Sequence, residues 1–216
     1  MISREELSRA FDARFSPEIR EKLSAAHVAV AGLGGLGSNI SVMLARSGVG
    51  HLLLVDFDTV DVTNLNRQAY GIPHLGMTKC EAIQKTLADI NPYLDIETHI
   101  LRVTEENATA LFKGSPIVCE AFDRADQKAM LVGTLLRETE CTVVSGIGMA
   151  GYSDSNRIRT EKRLSRLYVC GDQTTDVGED MGLMAPRVAV CAGHMANKVI
   201  QLILDDQSEK NQEEIS

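Results

Sequence analysis

Short apolar runs alternate with amphipathic stretches along most of this chain, a rhythm that predicts buried strands separated by helices. His27-Val28-Ala29-Val30-Ala31 is a compact apolar run ending close to a cluster of glycines, the pattern of a parallel strand buried on both faces. Residues 38–47 carry Ile40, Met43 and Leu44 at helical spacing and stop at Gly48, so strand, loop, helix and stop follow in order. The same reading predicts a strand over 51–55 and a helix over 78–90, closed by Asn91-Pro92, with Ile83 and Leu87 on one face. It continues with a strand over 94–103, a short helix over 105–112, a strand over 117–122 ending on Asp123, a helix over 126–139 and a strand over 141–145. Strands and helices in this alternation build an α/β fold, a doubly wound, mostly parallel Rossmann-like sheet.

The two ends differ from this middle. Residues 3–26 are charged and read as a helical lead-in outside the core. In the last third, 146–151 is glycine-rich and 156–170 reads as two short strands or a hairpin dense in Arg and Lys, which gives the sheet a mixed or antiparallel C-terminal part. Residues 171–182 form an acidic, turn-rich loop, and Pro186 opens a long helix over 187–204. One domain over 1–204 is expected, with an acidic, disordered tail over 205–216.

Composition narrows the classes. A net charge of -8 argues against a general nucleic-acid or anionic-membrane binder, both of which want a basic face. Charges break every apolar run before the roughly 18 residues of a membrane span, and Met1-Ile2-Ser3-Arg4-Glu5-Glu6 has no apolar signal core. A cytoplasmic location is expected. The five cysteines (Cys80, Cys119, Cys141, Cys170, Cys191) include no Cys-x-x-Cys pair, so buried reduced thiols are expected rather than a disulfide framework or a structural zinc.

The candidate chemistry lies at the ends of the predicted strands. Gly32-Leu33-Gly34-Gly35-Leu36-Gly37 follows a strand and opens a helix, and Asp56 follows about 20 residues later, the arrangement that holds a nucleotide's phosphates and ribose. Taken alone, that arrangement indicates a nicotinamide or flavin oxidoreductase. Arg67, Lys79 and Asp123 change the balance. Two cations beyond the second strand and a carboxylate at the end of another suit nucleotidyl transfer, where cations offset growing phosphate charge and the carboxylate holds Mg2+.

The motifs Gly32-Leu-Gly-Gly-Leu-Gly-Ser38, Asp56-Phe-Asp58, Asn64-Leu-Asn-Arg-Gln68, Gly76-Met-Thr-Lys79, Asn91-Pro92 and Ala121-Phe-Asp123 resemble, in series, the signatures of the ubiquitin-activating-type adenylyltransferases. Within that family the chain is most similar to the ThiF-type sulfur-carrier adenylyltransferases of the thiamine pathway, over about residues 10–204. The resemblance implies ATP-dependent adenylation of the C-terminal Gly-Gly carboxylate of a ubiquitin-like sulfur carrier, with release of pyrophosphate. It implies that Gly32, Gly34, Gly35 and Gly37 hold phosphates and that the Asp56-Phe-Asp58 segment, through Asp56, holds the ribose. Asn64, Arg67, Gln68 and Lys79 would engage the triphosphate and Asp123 would bind Mg2+. It further implies a homodimer in which an N-terminal arginine, best matched by Arg14, reaches the partner's ATP. Longer relatives carry two Cys-x-x-Cys zinc pairs that are missing here, and Cys170 lies near the region where many carry a sulfur-transfer cysteine. Carriers for molybdopterin or amino-acid pathways share the same tail as the thiamine carrier. The acidic loop and the long helix are expected to form the carrier's docking surface, with the 146–151 segment admitting its tail.

Overall fold

The computed structural model describes residues 2–175 and 182–205. Seven strands form one sheet in the order β3-β2-β1-β4-β5-β7-β6. These are β1 (His27–Ala31), β2 (His51–Val55), β3 (Asp95–His99), β4 (Ile117–Glu120), β5 (Thr142–Gly146), β6 (Arg159–Leu164) and β7 (Leu167–Gly171). Every neighbouring pair is parallel except β6 with β7, the antiparallel hairpin predicted for the basic segment.

Among the described residues the α-helices are α1 (Arg4–Asp12), which buries no residue, and α2 (Pro17–Ala25), α3 (Gly35–Arg46), α4 (Lys79–Ala88), α5 (Glu105–Phe112), α6 (Ala125–Glu138) and α7 (Ala185–Asp205), which pack about the sheet. Alternate residues of β1 feed the two faces. Val28 and Val30 join Ile40, Leu44, Leu87 and Met195 on one side, while Ala29 and Ala31 join Phe112, Leu131 and Leu135 on the other. Burial on both faces is why β1 reads as an unbroken apolar run.

Several boundaries differ from the sequence reading, among them β3, which ends at His99 and not at 103. Helix α3 begins at Gly35, so Gly35 and Gly37 belong to its first turn, Gly34 caps it and only Gly32 lies in the turn before it. Strand β4 ends at Glu120, because the Glu120 side chain accepts the Phe122 N–H and turns the chain out of the sheet. The lead-in is not wholly outside the core, since Leu23 of α2 is buried in it, whereas α1 buries no residue. Residues 176–181 of the expected acidic loop and 206–216 of the expected tail lie outside the described residues.

The chain leaves β1 towards β2 on one side and reaches β4 on the other, so the strand order reverses between β1 and β4. Open α/β sheets bind ligands in the crevice at the carboxyl ends of strands at such a switch point.

Candidate active site

That crevice contains the glycine turn. Gly32 has φ of 90°, a left-handed conformation that side chains resist, and a Cβ there would lie 2.9 Å from the Ala121 carbonyl oxygen and 3.0 Å from Phe122 Cδ1. The turn after β1 and the lip after β4 thus press against each other. Gly34 caps α3 without any side-chain hydrogen bond, so the first N–H groups of α3 point outward with no side-chain acceptor, a ready anion site.

Asp56, at the end of β2, is 8% exposed. Its Oδ2 accepts the Leu33 N–H at 2.6 Å and its Oδ1 accepts the Asp58 N–H at 2.8 Å. Burial pushes its carboxyl above the usual aspartate range, against the pull of Lys79 and of those two N–H groups. Lys79 stands in the first turn of α4, capped by a Thr78–Glu81 box. Its Nζ lies 2.7 Å from Asp58 Oδ2 and 3.8 Å from Asp56 Oδ2. A lysine at a helix N-terminus opposes the helix dipole, and here two carboxylates offset that cost. The Asp58 carboxylate is 48% exposed, so water competes for it and it holds Lys79 less firmly than a buried partner would.

Arg67 lies on the cavity wall in the loop after a single 3-10 turn, Val62–Asn64. Its stem packs beside Gly35, and its Nη1 donates to the Thr63 carbonyl and to Asn66 Oδ1 at 2.8 Å. Asn39 ties this loop to α3 by donating to the carbonyls of Gly35 and Arg67. Gln68 lines the cavity and is buried, yet its Oε1 has no partner among the described residues. A buried acceptor left unpaired is costly unless a ligand donor meets it.

Gly32, Gly34, Gly35, Asp56, Asp58, Arg67, Gln68, Lys79 and Asp123 therefore converge on one cavity. Gly37 stands behind its wall, where a Cβ would strike the Gly32 carbonyl. Asn64 is also off the wall, with its Oδ1 accepting the Asp61 N–H within its own turn. Arg14 is exposed in the connection between α1 and α2 and does not line the cavity.

Asp123 is exposed on the rim. The cap of α6 falls on Arg124, and no hydrogen bond from the described residues engages the Asp123 carboxylate, so it does not serve as the helix cap that its position suggests. No cluster of three or more His, Cys, Asp or Glu suited to a metal occurs among the described residues. A lone rim carboxylate fits Mg2+, which keeps its waters and is held by one or two carboxylates together with substrate phosphates.

Sequence reasoning missed Phe57, Arg102, Phe122, Arg124 and Gln127, which also line the cavity. Arg102 lies 4.5 Å over the Phe57 ring. Both follow the carboxyl end of a strand, and that position was the available signal. Cys170 is buried in β7, and burial pushes its thiol above the usual range, so it is not poised as a nucleophile. All five cysteines are buried. No helix among the described residues is long and apolar enough to cross a membrane.

Comparison with known proteins follows the same lines. The ThiF family matches residues 7–215. The chain is 33% identical over 195 residues to the molybdopterin-synthase adenylyltransferase of Salmonella typhimurium, covering 88% of this chain and 77% of that one. It is 30% identical over 197 residues to the adenylyltransferase and sulfurtransferase of Candida glabrata, covering 88% of this chain and 45% of that protein. It is 37% identical over 141 residues to the tRNA threonylcarbamoyladenosine dehydratase of Bacillus subtilis, covering 64% and 55%. The chain thus spans about half the length of the last two relatives. The fold matches the crystal structure of E. coli tRNA N6-threonylcarbamoyladenosine dehydratase in complex with ATP, with TM-score 0.86, 22% identity and coverage of 97% and 99%. By its motifs, its site and this family match across nearly its whole length, the chain belongs to the ThiF family.

Proposed function

We propose that this protein uses ATP to adenylate the C-terminal carboxylate of a ubiquitin-like sulfur carrier ending in Gly-Gly. In this reading the carrier is the one that serves thiamine thiazole formation. The observation that carries it is the convergence of an uncapped glycine-rich helix start, Asp56, Lys79, Arg67 and Asp123 on one cavity at the switch point. A hydride-transfer site has no use for that pair of cations, which counts against a nicotinamide oxidoreductase.

A carboxylate is a weak nucleophile and a poor electrophile, so the work of the site is positioning and charge. The carrier's carboxylate oxygen attacks the α-phosphorus, the bond from that phosphorus to the bridging oxygen breaks, and pyrophosphate leaves with the electron pair. Two anions meet in this step, and Arg67 and Lys79 offset their repulsion from a pre-arranged, partly dry site. Asp56 accepts from the ribose, while the α3 N–H groups and the Gln68 Nε2 N–H donate to the phosphates. Mg2+, held by Asp123 and phosphate oxygens, would add positive charge on the triphosphate. No protein nucleophile or strong base is needed. Arg14, exposed in the α1–α2 connection, would act only across a homodimer, from the partner's copy of that connection.

The relatives support two narrower alternatives, a molybdopterin-type carrier and a tRNA threonylcarbamoyladenosine substrate. The net charge of -8 favours a protein over an RNA. Exchange of labelled pyrophosphate into ATP, run with each candidate carrier, with modified tRNA and with neither, tests the reading. Exchange that depends on the thiamine-type carrier is expected. Exchange with another carrier would move the pathway, and tRNA-dependent turnover without carrier-dependent exchange would overturn the proposal.

A further inference from the structure

Beneath the rim lies a charged cluster that the chemistry above does not use. Glu120, the last residue of β4, is 0% exposed. Its Oε1 accepts the Phe122 N–H at 2.8 Å and lies 3.0 Å from Lys128 Nζ, while its Oε2 accepts the Ser145 hydroxyl at 2.6 Å and lies 2.8 Å from the same Nζ. Lys128, on α6, also donates to the Phe122 carbonyl at 2.9 Å. Both polar groups of the Phe122 backbone are therefore held by this one buried ion pair.

Phe122 is the hinge of the site. Its ring and the Ala121 carbonyl lie against Gly32, and Asp123 follows it directly. Ser145 adds a tie from the same carboxylate to the end of β5, one residue before the loop that leaves the sheet at Gly146. An isolated buried carboxylate is expensive, and a pair such as this is retained where it imposes one geometry rather than for stability.

We infer that Glu120 and Lys128 are positioning residues that set the Ala121-Phe122-Asp123 lip against the glycine turn and thereby place the Asp123 carboxylate for the metal-bound triphosphate. This rests on the proposed reading of the site as an ATP site. The pair touches no substrate. It acts through the Phe122 backbone.

The test uses the full chain and titrates ATP with and without Mg2+. Removing Lys128 alone strands a buried carboxylate, so the informative variant is the apolar exchange Glu120→Leu with Lys128→Met, which removes both the acceptor of the Phe122 N–H and the donor to its carbonyl, checked by thermal unfolding. It should weaken Mg2+-dependent ATP binding about tenfold or more, the scale of lost supporting contacts, with little change in the absence of Mg2+. Lys128→Arg, which keeps the charge and a donor to the Phe122 carbonyl, should restore most of it. In an Asp123→Ala background the double exchange should have no further effect on the Mg2+-dependent part, whereas a merely structural role gives the same loss in both backgrounds. In the free protein, hydrogen exchange at the Phe122 amide should quicken in the double exchange while β1 amides do not change. Wild-type-like binding and exchange in the double variant, or equal losses with and without Asp123, would overturn the inference alone. Absence of any ATP binding by the wild type would overturn the functional reading and the inference with it.

Discussion

The two halves of this sheet are assembled by different means. From β1 to β4 the site is built on local turns and caps, the glycine turn opening α3 and Thr78 capping α4, with Asp56 and Asp58 at one strand end meeting Lys79, 21 residues beyond Asp58. From β5 to α7 the chain is held by contacts between distant segments. Arg187 in the first turn of α7 is 3% exposed, donates to the Ser153 and Asp154 carbonyls and pairs with Asp172, which in turn accepts the N–H groups of Thr174 and Thr175. The first half gathers Asp56, Asp58, Arg67 and Lys79 on the cavity and has the Glu120–Lys128 pair holding the Phe122 backbone. The second half turns its Arg187–Asp172 pair wholly to holding irregular backbone in place.

That contrast predicts that charge removal will unfold one half and silence the other. Arg187→Met breaks a buried pair and leaves Asp172 uncompensated, which should cost ~3–5 kcal/mol of stability. Urea unfolding should show this loss, while ATP affinity per folded molecule stays near wild type. Lys79→Ala should instead slow adenylation ~10²-fold or more, the scale for one pre-arranged electrostatic contact. Pyrophosphate exchange measures it, and a retained rate would take Lys79 out of the site.

Gly148, in the segment expected to admit the carrier's tail, sharpens the comparison. It has φ of 76°, and a Cβ there would meet the Asp172 carboxylate and, at 2.6 Å, the Gln173 nitrogen. A bulky residue at this position disturbs the Arg187–Asp172 region rather than narrowing a channel. Gly148→Ala should therefore cost ~1–3 kcal/mol in thermal or urea unfolding, with no selective rise in the Michaelis constant for the carrier.

Acid should separate the halves with the smallest perturbation. Burial raises Asp56, so its proton arrives at higher pH than for an ordinary aspartate, and because the folded chain binds that proton more readily than the unfolded one, protonation does not by itself unfold the protein. Asp172 is the reverse case. Burial opposes it, but the Thr175 and Thr174 N–H groups and Arg187 hold it down to about 2, so the stability it contributes is present above the ordinary 3.8 and is lost only as pH falls from there towards 2. ATP affinity followed by titration should decline at a higher pH than the far-UV signal of the fold. Simultaneous loss would show that the two halves are not independent.

The same contrast explains what was legible in the sequence. The parallel strands and the helices between them were recognisable in the first half because apolar period, capping residue and glycine position are local, whereas the two 3-10 turns within 56–76 carry no such period, and Gly32, Asp56, Arg67, Lys79 and Asp123 fall in the cavity that their strand-end and helix-start positions suggested. Boundaries slipped where a side chain acts on backbone: Glu120 ends β4 early, and Gly35 and Gly37 enter α3. Glu120 left a trace as the one charge in Ile117-Val-Cys-Glu, but its partners Lys128 and Ser145 are 8 and 25 residues away. The Arg187–Asp172 clamp spans 15 residues and left no periodic signal. Arg102 and Phe57 line the cavity only because β2 and β3 are adjacent and parallel.

The most direct test of the central claim is the intact mass of a Gly-Gly-ended sulfur carrier after incubation with this protein, ATP and Mg2+. The carrier should gain one adenylate group at its C-terminus. That gain should vanish when the terminal glycine is removed and should appear ~10²-fold more slowly when Lys79→Ala replaces the wild-type enzyme. A carrier of unchanged mass, with ATP demonstrably bound to the enzyme and every carrier class tried, would contradict the account.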